Sequence, residues 1–259
     1  MFKTDNYKNK TVVITGGTKG IGLGITKAYL SLSANVIILA RNKPKKQIQV
    51  KGNKALFYQC NVRDNANVEE VINEVFKANK CIDVLINNAG GAPLINSLDA
   101  SMNFNNAIID LNLNSSFAVS YYVAKKMIKK SSGCVITNIS SVTATRPTPG
   151  SAAYGAAKGG LVNLTKTLAV EWAPRIRVNS IITGYIETEN SLVHYGSKKD
   201  MKAVAKTIPM KRMGTPEDIA NACIFLSSAN SSWITGTAIE VHGGGESPTY
   251  LNSAKPKKS

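Results

Sequence analysis

Residues 11–22 read Thr-Val-Val-Ile-Thr-Gly-Gly-Thr-Lys-Gly-Ile-Gly, a β-branched run that leads directly into a glycine-rich turn. Thr11 to Thr15 predicts a short buried strand, and the stretch from Ile21 to about Leu32 predicts a helix. This order brings backbone N–H groups and a helix N-terminus together, where a pyrophosphate can bind. The spacing is Gly-x-x-x-Gly-x-Gly and not the common Gly-x-Gly-x-x-Gly. Alone, the turn is therefore either a phosphate loop or a plain tight turn.

Strand-like and helix-like segments alternate along the rest of the chain. Further strands are predicted at residues 35–39, 55–59, 83–87, 133–139, 177–182 and 238–241, and helices at 68–77, 102–128, 152–172 and 216–228. The alternation predicts an α/β fold, a single-domain Rossmann-type, doubly wound parallel sheet of about seven strands with helices on both faces. We expect residues 1–259 to form one domain, with a substrate lid at about 185–215 and a disordered tail at 252–259.

A serine, a tyrosine and a lysine indicate the chemistry. Ser141 lies near the end of the fifth predicted strand, and Tyr154 and Lys158 share one face of the next helix because they are four residues apart. A nearby ammonium favours the phenolate, so we expect a lowered pKa for Tyr154. A serine hydroxyl facing this pair could hold a carbonyl oxygen. The three residues predict an acid/base centre for carbonyl and alcohol chemistry.

Two basic residues bear on the choice of dinucleotide. Dinucleotide-binding units that take NAD carry an acidic residue about 20 residues after the glycines, whereas a basic residue accommodates the 2′-phosphate of NADP. Here Arg41 follows the second predicted strand, and Lys19 lies within the glycine turn. Both favour NADP(H) over NAD(H), and the alternative is that both are solvated surface charges.

Four motifs occur in one characteristic order: Thr15-Gly-Gly-Thr-Lys-Gly-Ile-Gly22, Asn87-Asn-Ala-Gly90, Asn138-Ile-Ser-Ser141 and Tyr154-Gly-Ala-Ala-Lys158. With these motifs the chain resembles the short-chain dehydrogenases/reductases from about Lys10 to Gly245. It is most similar to the branch of 3-oxoacyl-[acyl-carrier-protein] reductases and to relatives that act on acyl-CoAs, sugars and steroids.

The resemblance implies a role for each matching residue. Tyr154 would be the general acid, and Lys158 would lower its pKa and bind the nicotinamide ribose. Ser141 rather than Ser140 would hold the substrate oxygen, and Asn112 would bind a water that connects Lys158 to solvent. The implied cofactor-binding residues are Gly16, Thr18, Lys19, Gly20, Ile21, Gly22, Arg41, Asn61, Val62, Asn88, Ala89, Gly90, Tyr154, Lys158, Gly184, Ile186 and Thr188.

Simpler structural roles remain open for the same residues. Tyr154 and Lys158 could be a surface packing pair, Asn112 could hold a neighbouring backbone segment, and Ser141 could be a turn residue. Asn88, Ala89 and Gly90 are expected to have a partly structural role in any case.

Three positions depart from the family pattern. Asn61 replaces an aspartate that faces the adenine, Thr183 replaces the proline before Gly184, and His242 replaces a frequent aspartate. An asparagine still binds the base amine, whereas the loss of proline is expected to loosen the loop. No second metal ligand lies at a useful spacing from His194 or His242, so no metal site is predicted.

Composition limits the other classes of function. The formal net charge is +16, but the lysines are scattered and no nucleic-acid reading motif is present, so compositional bias explains the charge best. The alternative is attraction of an anionic cofactor, an acidic carrier protein or an acyl-CoA. No apolar stretch is long enough to span a bilayer, and no signal peptide is recognisable. The four widely spaced cysteines predict reduced thiols in a cytoplasmic protein.

The expected function is therefore an NADP(H)-dependent oxidoreductase that interconverts a ketone and a secondary alcohol. A 3-oxoacyl-ACP or 3-oxoacyl-CoA is one candidate substrate, and a sugar or steroid alcohol is the alternative. Two further alternatives are a non-catalytic dinucleotide-binding protein and a sugar-nucleotide epimerase of the extended branch. The resemblance also implies a homo-oligomer, a tetramer or a dimer, that binds neither nucleic acid nor membrane.

Overall fold

A parallel seven-stranded sheet forms the centre of the fold. The computed structural model describes residues 7–129 and 133–246. The strands of the sheet are β1 (Thr11–Thr15), β2 (Asn35–Ala40), β5 (Leu56–Gln59), β6 (Val84–Asn87), β7 (Cys134–Ser141), β8 (Ile176–Thr183) and β9 (Ala238–Val241), and a short antiparallel hairpin, β3 (Gln49–Val50) with β4 (Asn53–Lys54), lies between β2 and β5. Their spatial order is β5-β2-β1-β6-β7-β8-β9. The order reverses between β1 and β6, where doubly wound sheets open a crevice for ligands.

Helices cover both faces of the sheet. They are α1 (Gly20–Ser31), α2 (Asn65–Asn79), α3 (Met102–Ile109), α4 (Ser115–Met127), α5 (Ala152–Trp172), α6 (Ser191–Tyr195), α7 (Lys198–Thr207) and α8 (Pro216–Ser227). Every residue of β1 and of β7 is buried, as expected for strands covered on both sides. Successive residues of β1 then serve two cores: Val12 and Ile14 pack with α1 and α8, whereas Val13 packs with α2, α4 and α5.

The predicted fold class is confirmed, and every predicted strand is present. One predicted helix, residues 102–128, differs: it is divided into α3 and α4 by a π-helical turn, Asp110–Asn114. The hairpin of β3 and β4 was not predicted because its strands are too short to show periodicity. The predicted lid region, 185–215, contains α6 and α7, and the predicted tail, 252–259, lies outside the described residues. Within the described ranges, no helix has both the length and the apolar character needed to cross a membrane.

One side chain joins the glycine turn to the middle of the sheet. The buried hydroxyl of Thr15, at the end of β1, accepts hydrogen bonds from the backbone N–H groups of Asn88 and Ala89, each at 3.0 Å. The Asn88 side chain returns a bond from its Nδ2 to the Thr15 carbonyl at 3.0 Å. The carboxyl ends of β1 and β6 are therefore held together by side-chain contacts as well as by the strand ladder.

Thr15→Val tests this connection. Valine keeps the shape of threonine but leaves two backbone N–H groups without their acceptor, so we expect a loss of about 2 to 4 kcal/mol in the free energy of unfolding, measured in urea. The control is Thr11→Val on the same strand, because the Thr11 hydroxyl has only long contacts, 3.5 Å to Asn35 Nδ2 and 3.9 Å to Cys81 Sγ. Equal losses in the two variants would contradict this role for Thr15.

Candidate active site

A cleft of about 520 Å³ opens at the carboxyl ends of the central strands. Its walls come from the segments that follow β1, β2, β5 and β6 and from the ends of β7 and β8. All the predicted cofactor-binding residues line it except Gly184 and Ile186. The side chain of Ile186 is instead buried in the core beside α8. Binding roles for these two residues stay a prediction.

The glycine turn forms the floor of one end of the cleft. A Cβ atom on Gly22 would collide with the carbonyl oxygen of Gly16, so the close approach of the turn to α1 requires glycine there. The N-cap residue Lys19 makes no side-chain capping bond, and the first turn of α1 holds no acidic residue. The start of α1 thus presents backbone N–H groups and the positive end of the helix dipole to the cleft.

The ammonium of Lys158 is buried at the other end of the cleft. The residue is 4% exposed, and its Nζ donates a 2.8 Å hydrogen bond to the carbonyl of Ile139 in β7. The hydroxyl of Ser140 in turn donates to the Lys158 carbonyl at 3.1 Å. Burial lowers the pKa of Lys158 from 10.5 to about 8. The side chain is therefore fixed by β7 and is still mainly charged at neutral pH.

Tyr154 faces Lys158 without a direct hydrogen bond between the two in the described structure. The Lys158 Nζ lies 5.6 Å from the centroid of the Tyr154 ring. Burial raises the pKa of Tyr154, and a hydrogen bond with the Ser141 hydroxyl lowers it by less. The sequence-based expectation of a lowered pKa is therefore not met in this structure. The reason is that desolvation of the phenol dominates while the ammonium is bonded to Ile139.

Ser141 and Asn112 do not line the cleft themselves but contact residues that do. The Ser141 hydroxyl contacts Tyr154 and accepts a 3.3 Å bond from the N–H of Thr143. The fully buried Asn112, within the π-helical turn, accepts from the Gly91 N–H at 2.8 Å and donates to the Gly91 carbonyl at 3.0 Å. The structural alternative for Asn112, that it holds a neighbouring backbone segment, is thus present. A water-binding role is not tested by these contacts.

Gly90 brings Asn112 and Lys158 together. A Cβ atom on Gly90 would lie 2.6 Å from the Oδ1 of Asn112 and 3.2 Å from the Nζ of Lys158. A side chain at position 90 would therefore separate the amide from the ammonium. The Asn-Ala-Gly motif serves the site and the sheet at once, because Asn88 and Ala89 bind Thr15 and Gly90 leaves this space free.

An aromatic and ionic cluster joins residues near Tyr154 to the predicted lid segment. The rings of Tyr185 and Tyr195 meet edge to face with centroids 5.9 Å apart. Burial, together with the neighbouring phenols of Tyr185 and Tyr154, raises the pKa of Tyr195 to about 12. Arg146 donates from Nη2 to the Tyr185 hydroxyl at 3.0 Å and to Glu246 Oε1 at 2.6 Å. The loop between Ser141 and Tyr154 is thereby joined to the end of the described chain.

Several cleft residues were not identified as cofactor-binding from the sequence. They include Arg63, Ser140, Asn190 and His194. Arg63 follows Asn61 and Val62, and its backbone N–H bonds the Asn61 Oδ1 at 3.3 Å, so its place after a strand was a usable signal. Asn190 and His194 reach the cleft from the predicted lid segment, and no periodicity in the sequence indicates that they do so. Across the described ranges, no three His, Cys, Asp or Glu residues form a candidate metal group.

Comparison with known proteins agrees with this architecture. A family described as Enoyl-(Acyl carrier protein) reductase matches residues 16–246. A short chain dehydrogenase from Bacillus anthracis has the same fold, with a TM-score of 0.83 and 34% sequence identity over 94% of this chain and 99% of that one. The chain belongs to the short-chain dehydrogenase/reductase family. It is accordingly an oxidoreductase.

Its relatives within the short-chain dehydrogenases/reductases are diverse. The 3-oxoacyl-[acyl-carrier-protein] reductase of Chlamydia pneumoniae is 36% identical over 242 residues, which cover 91% of this chain and 96% of that protein. The aldohexose dehydrogenase of Thermoplasma acidophilum superposes with a TM-score of 0.86 and is 30% identical, with 98% of both chains covered. The similarity therefore spans nearly the whole chain but does not single out one substrate.

The buried ammonium makes stability depend on pH. With a folded-state pKa of about 8 against an ordinary value of 10.5, the unfolded chain binds more protons at Lys158 between these pH values. The free energy of unfolding at this site therefore rises with pH across that window, by about 3 kcal/mol in all. Lys158→Met removes this contribution, so the difference between wild type and variant should shift in favour of wild type as pH increases from 7 to 10.

Urea unfolding at several pH values checks this expectation. The control is Lys166→Met, because Lys166 is an exposed lysine on the same helix. Its curve should run parallel to the wild type. A constant separation between wild type and Lys158→Met over this range would show that Lys158 is not desolvated as described.

Proposed function

We propose that this protein is an NADP(H)-dependent reductase that interconverts a ketone and a secondary alcohol, with Tyr154 as the general acid and base. The observation that carries the proposal is one cleft with the glycine turn at one end and Tyr154 with the buried ammonium of Lys158 at the other. The start of α1 supports a dinucleotide there, because the tight turn at Gly22 brings the first turn of that helix to the cleft, where a phosphate can bind.

Side chains of this protein would donate the proton and stabilise the charge that its transfer creates. The nicotinamide dinucleotide supplies the hydride when it is bound. Burial raises the pKa of Tyr154, so at neutral pH its hydroxyl is protonated and can donate to a carbonyl oxygen. The neighbouring Ser141 hydroxyl orients that oxygen. Lys158 keeps two of its three N–H donors beyond the bond to Ile139, and its charge stabilises the phenolate left after proton transfer.

Proton resupply is assigned to the region of Asn112. Its amide is occupied by Gly91, but the π-helical turn around it interrupts the regular α-helical hydrogen bonding beside Lys158. Such turns often occur at functional sites. A water held there would connect Lys158 to solvent.

The preference for NADP(H) rests on Arg41 and Lys19. Both are exposed, both line the cleft, and neither side chain makes a hydrogen bond or ion pair within the described residues. Two uncompensated cations are suited to a 2′-phosphate, and no carboxylate lies at the end of β2 to bind a ribose hydroxyl pair.

A 3-oxoacyl thioester is the favoured substrate class. Support comes from the Chlamydia pneumoniae relative, a 3-oxoacyl-[acyl-carrier-protein] reductase, and from the apolar side chains exposed on the predicted lid, such as Leu192 and Val193. The Thermoplasma acidophilum relative, an aldohexose dehydrogenase, keeps a sugar as the alternative. A non-catalytic binding protein is disfavoured because Tyr154 and Lys158 are both present in the cleft.

The lid, the oligomeric state and the cytoplasmic location are also part of the proposal. Residues 185–215 would form the lid, because Asn190 and His194 reach the cleft from this segment. Phe117 and Tyr121 on α4 and Val170 on α5 are exposed apolar side chains that a second copy would cover in a dimer or tetramer. The four cysteines are free thiols, in keeping with a reducing cytoplasm.

Tyr154→Phe tests the chemistry. With acetoacetyl-CoA, an aldose and a steroid ketone as the substrate panel, we expect the substrate that is turned over to lose about 10² to 10⁴ in kcat/KM, because the general acid is gone. NADPH binding, followed by fluorescence, should persist. Tyr58→Phe, in the edge strand β5, is the control and should keep wild-type activity. Full activity in Tyr154→Phe would exclude the proposed mechanism.

Arg41→Asp tests the cofactor preference. An aspartate repels the 2′-phosphate and can accept bonds from a ribose, so the ratio of kcat/KM for NADPH to that for NADH should fall by about 10². Lys43→Asp is the matched control, since it makes the same change in charge at an exposed residue outside the cleft. If both variants shift the ratio equally, the effect is general electrostatics and Arg41 does not select the cofactor.

A further inference from the structure

A carboxylate already occupies the start of α1. The backbone N–H of Gly20, the first residue of that helix, donates a 2.8 Å hydrogen bond to Glu189 Oε1. Glu189 comes from the segment between β8 and α6 and is exposed. The bond thus joins the glycine turn to the predicted lid across the cleft.

The position of this carboxylate follows from charge. The first turn of α1 has no acidic residue and its N-cap Lys19 makes no side-chain capping bond, so the helix dipole is not compensated from within the helix. An anion there is stabilised by the dipole and by the free N–H groups. A dinucleotide phosphate would use the same groups. Two anions at one helix start repel each other, so the carboxylate and the phosphate exclude one another.

The segment that carries Glu189 is well anchored on both sides. The N–H of Glu187 bonds the Gly214 carbonyl at 2.8 Å, and the N–H of Thr188 bonds the Ser191 hydroxyl at 2.7 Å. Ser191 is the first residue of α6, and Thr188 also lines the cleft. Glu189 therefore supplies a hydrogen bond between the segment leading into α6 and the glycine turn, beside Thr188, which also lies close to Gly20.

We propose that Glu189 is an internal competitor of the cofactor phosphates. Its carboxylate leaves Gly20 when a dinucleotide binds, which lowers the affinity for the dinucleotide and couples its binding to the position of α6. This inference rests on the proposed function, since it requires the cleft to be the dinucleotide site. It assigns to Glu189 a role opposite to that of a binding residue: removing its charge improves binding.

The experiment compares wild type with Glu189→Gln, Glu189→Ala and the control Glu187→Gln. Glu187 is exposed, lies two residues away, and its side chain makes no hydrogen bond or ion pair in the described part of the chain. The dissociation constant of each protein is measured by calorimetry for NADPH and for adenosine 2′-monophosphate. The second probe reaches the ribose-phosphate end of the cleft but has no pyrophosphate, so it does not compete with Glu189.

We expect both Glu189 variants to bind NADPH about 3- to 10-fold more tightly than wild type, in line with the strength of charge interactions at helix ends. Adenosine 2′-monophosphate should bind all four proteins equally, and Glu187→Gln should match wild type with both probes. In hydrogen exchange without nucleotide, the amides of residues 191–195 should exchange faster in Glu189→Ala than in wild type, because the link to α1 is cut.

Other outcomes are equally informative. Unchanged NADPH affinity in both Glu189 variants would overturn the inference while leaving the proposed function intact. Tighter binding of both probes would assign the effect to overall charge and also overturn it. Unchanged exchange at residues 191–195 would overturn the coupling to α6. Absence of NADPH binding in all four proteins would instead refute the proposed function, and the inference with it.

Discussion

The two hydrogen bonds that the Thr15 hydroxyl accepts from Asn88 and Ala89 set the geometry on which the cleft depends. They fix the end of β1 against the end of β6 at the point where the strand order reverses. The glycine turn begins directly after Thr15, and Gly90 follows directly after Ala89. The glycine turn and the segment that contains Gly90 are thus both positioned by one oxygen atom. A small change in this contact would shift the positions of both the glycine turn and Gly90.

Burial of an ammonium gives the site its electrostatic character. Lys158 loses most of its hydration and recovers one strong acceptor, the Ile139 carbonyl. The charged form of Lys158 consequently carries a desolvation penalty, which a negative charge on a neighbouring group would offset. Tyr154 is half-buried next to it, and desolvation raises the pKa of its phenol. The structure therefore holds a neutral phenol beside a buried ammonium, whereas the sequence predicted a phenol whose pKa that ammonium lowers.

The order of elements was predictable because buried parallel strands are continuous apolar runs, which the sequence displays directly. That Tyr154 and Lys158 share one helix face was equally predictable from the sequence, since it follows from helix geometry. The partner of Lys158 was not, because its bond to Ile139 depends on how deeply α5 lies against β7. The π-helical turn at Asp110–Asn114 was also hidden, since Asn112 bonds Gly91 through a contact distant in sequence. Contacts of this kind leave no periodic trace.

The pairing of Arg146 with Glu246 has a consequence for how the sequence can evolve. The two residues are 100 positions apart, and both side chains are largely shielded, with exposed fractions of 33% and 28%. Replacing either one alone leaves a partly shielded charge beside Tyr185, next to the loop between Ser141 and Tyr154. A replacement at one position is therefore expected to require a compensating replacement at the other. The loop that leads to Tyr154 is thereby tied to a residue 100 positions further along the chain.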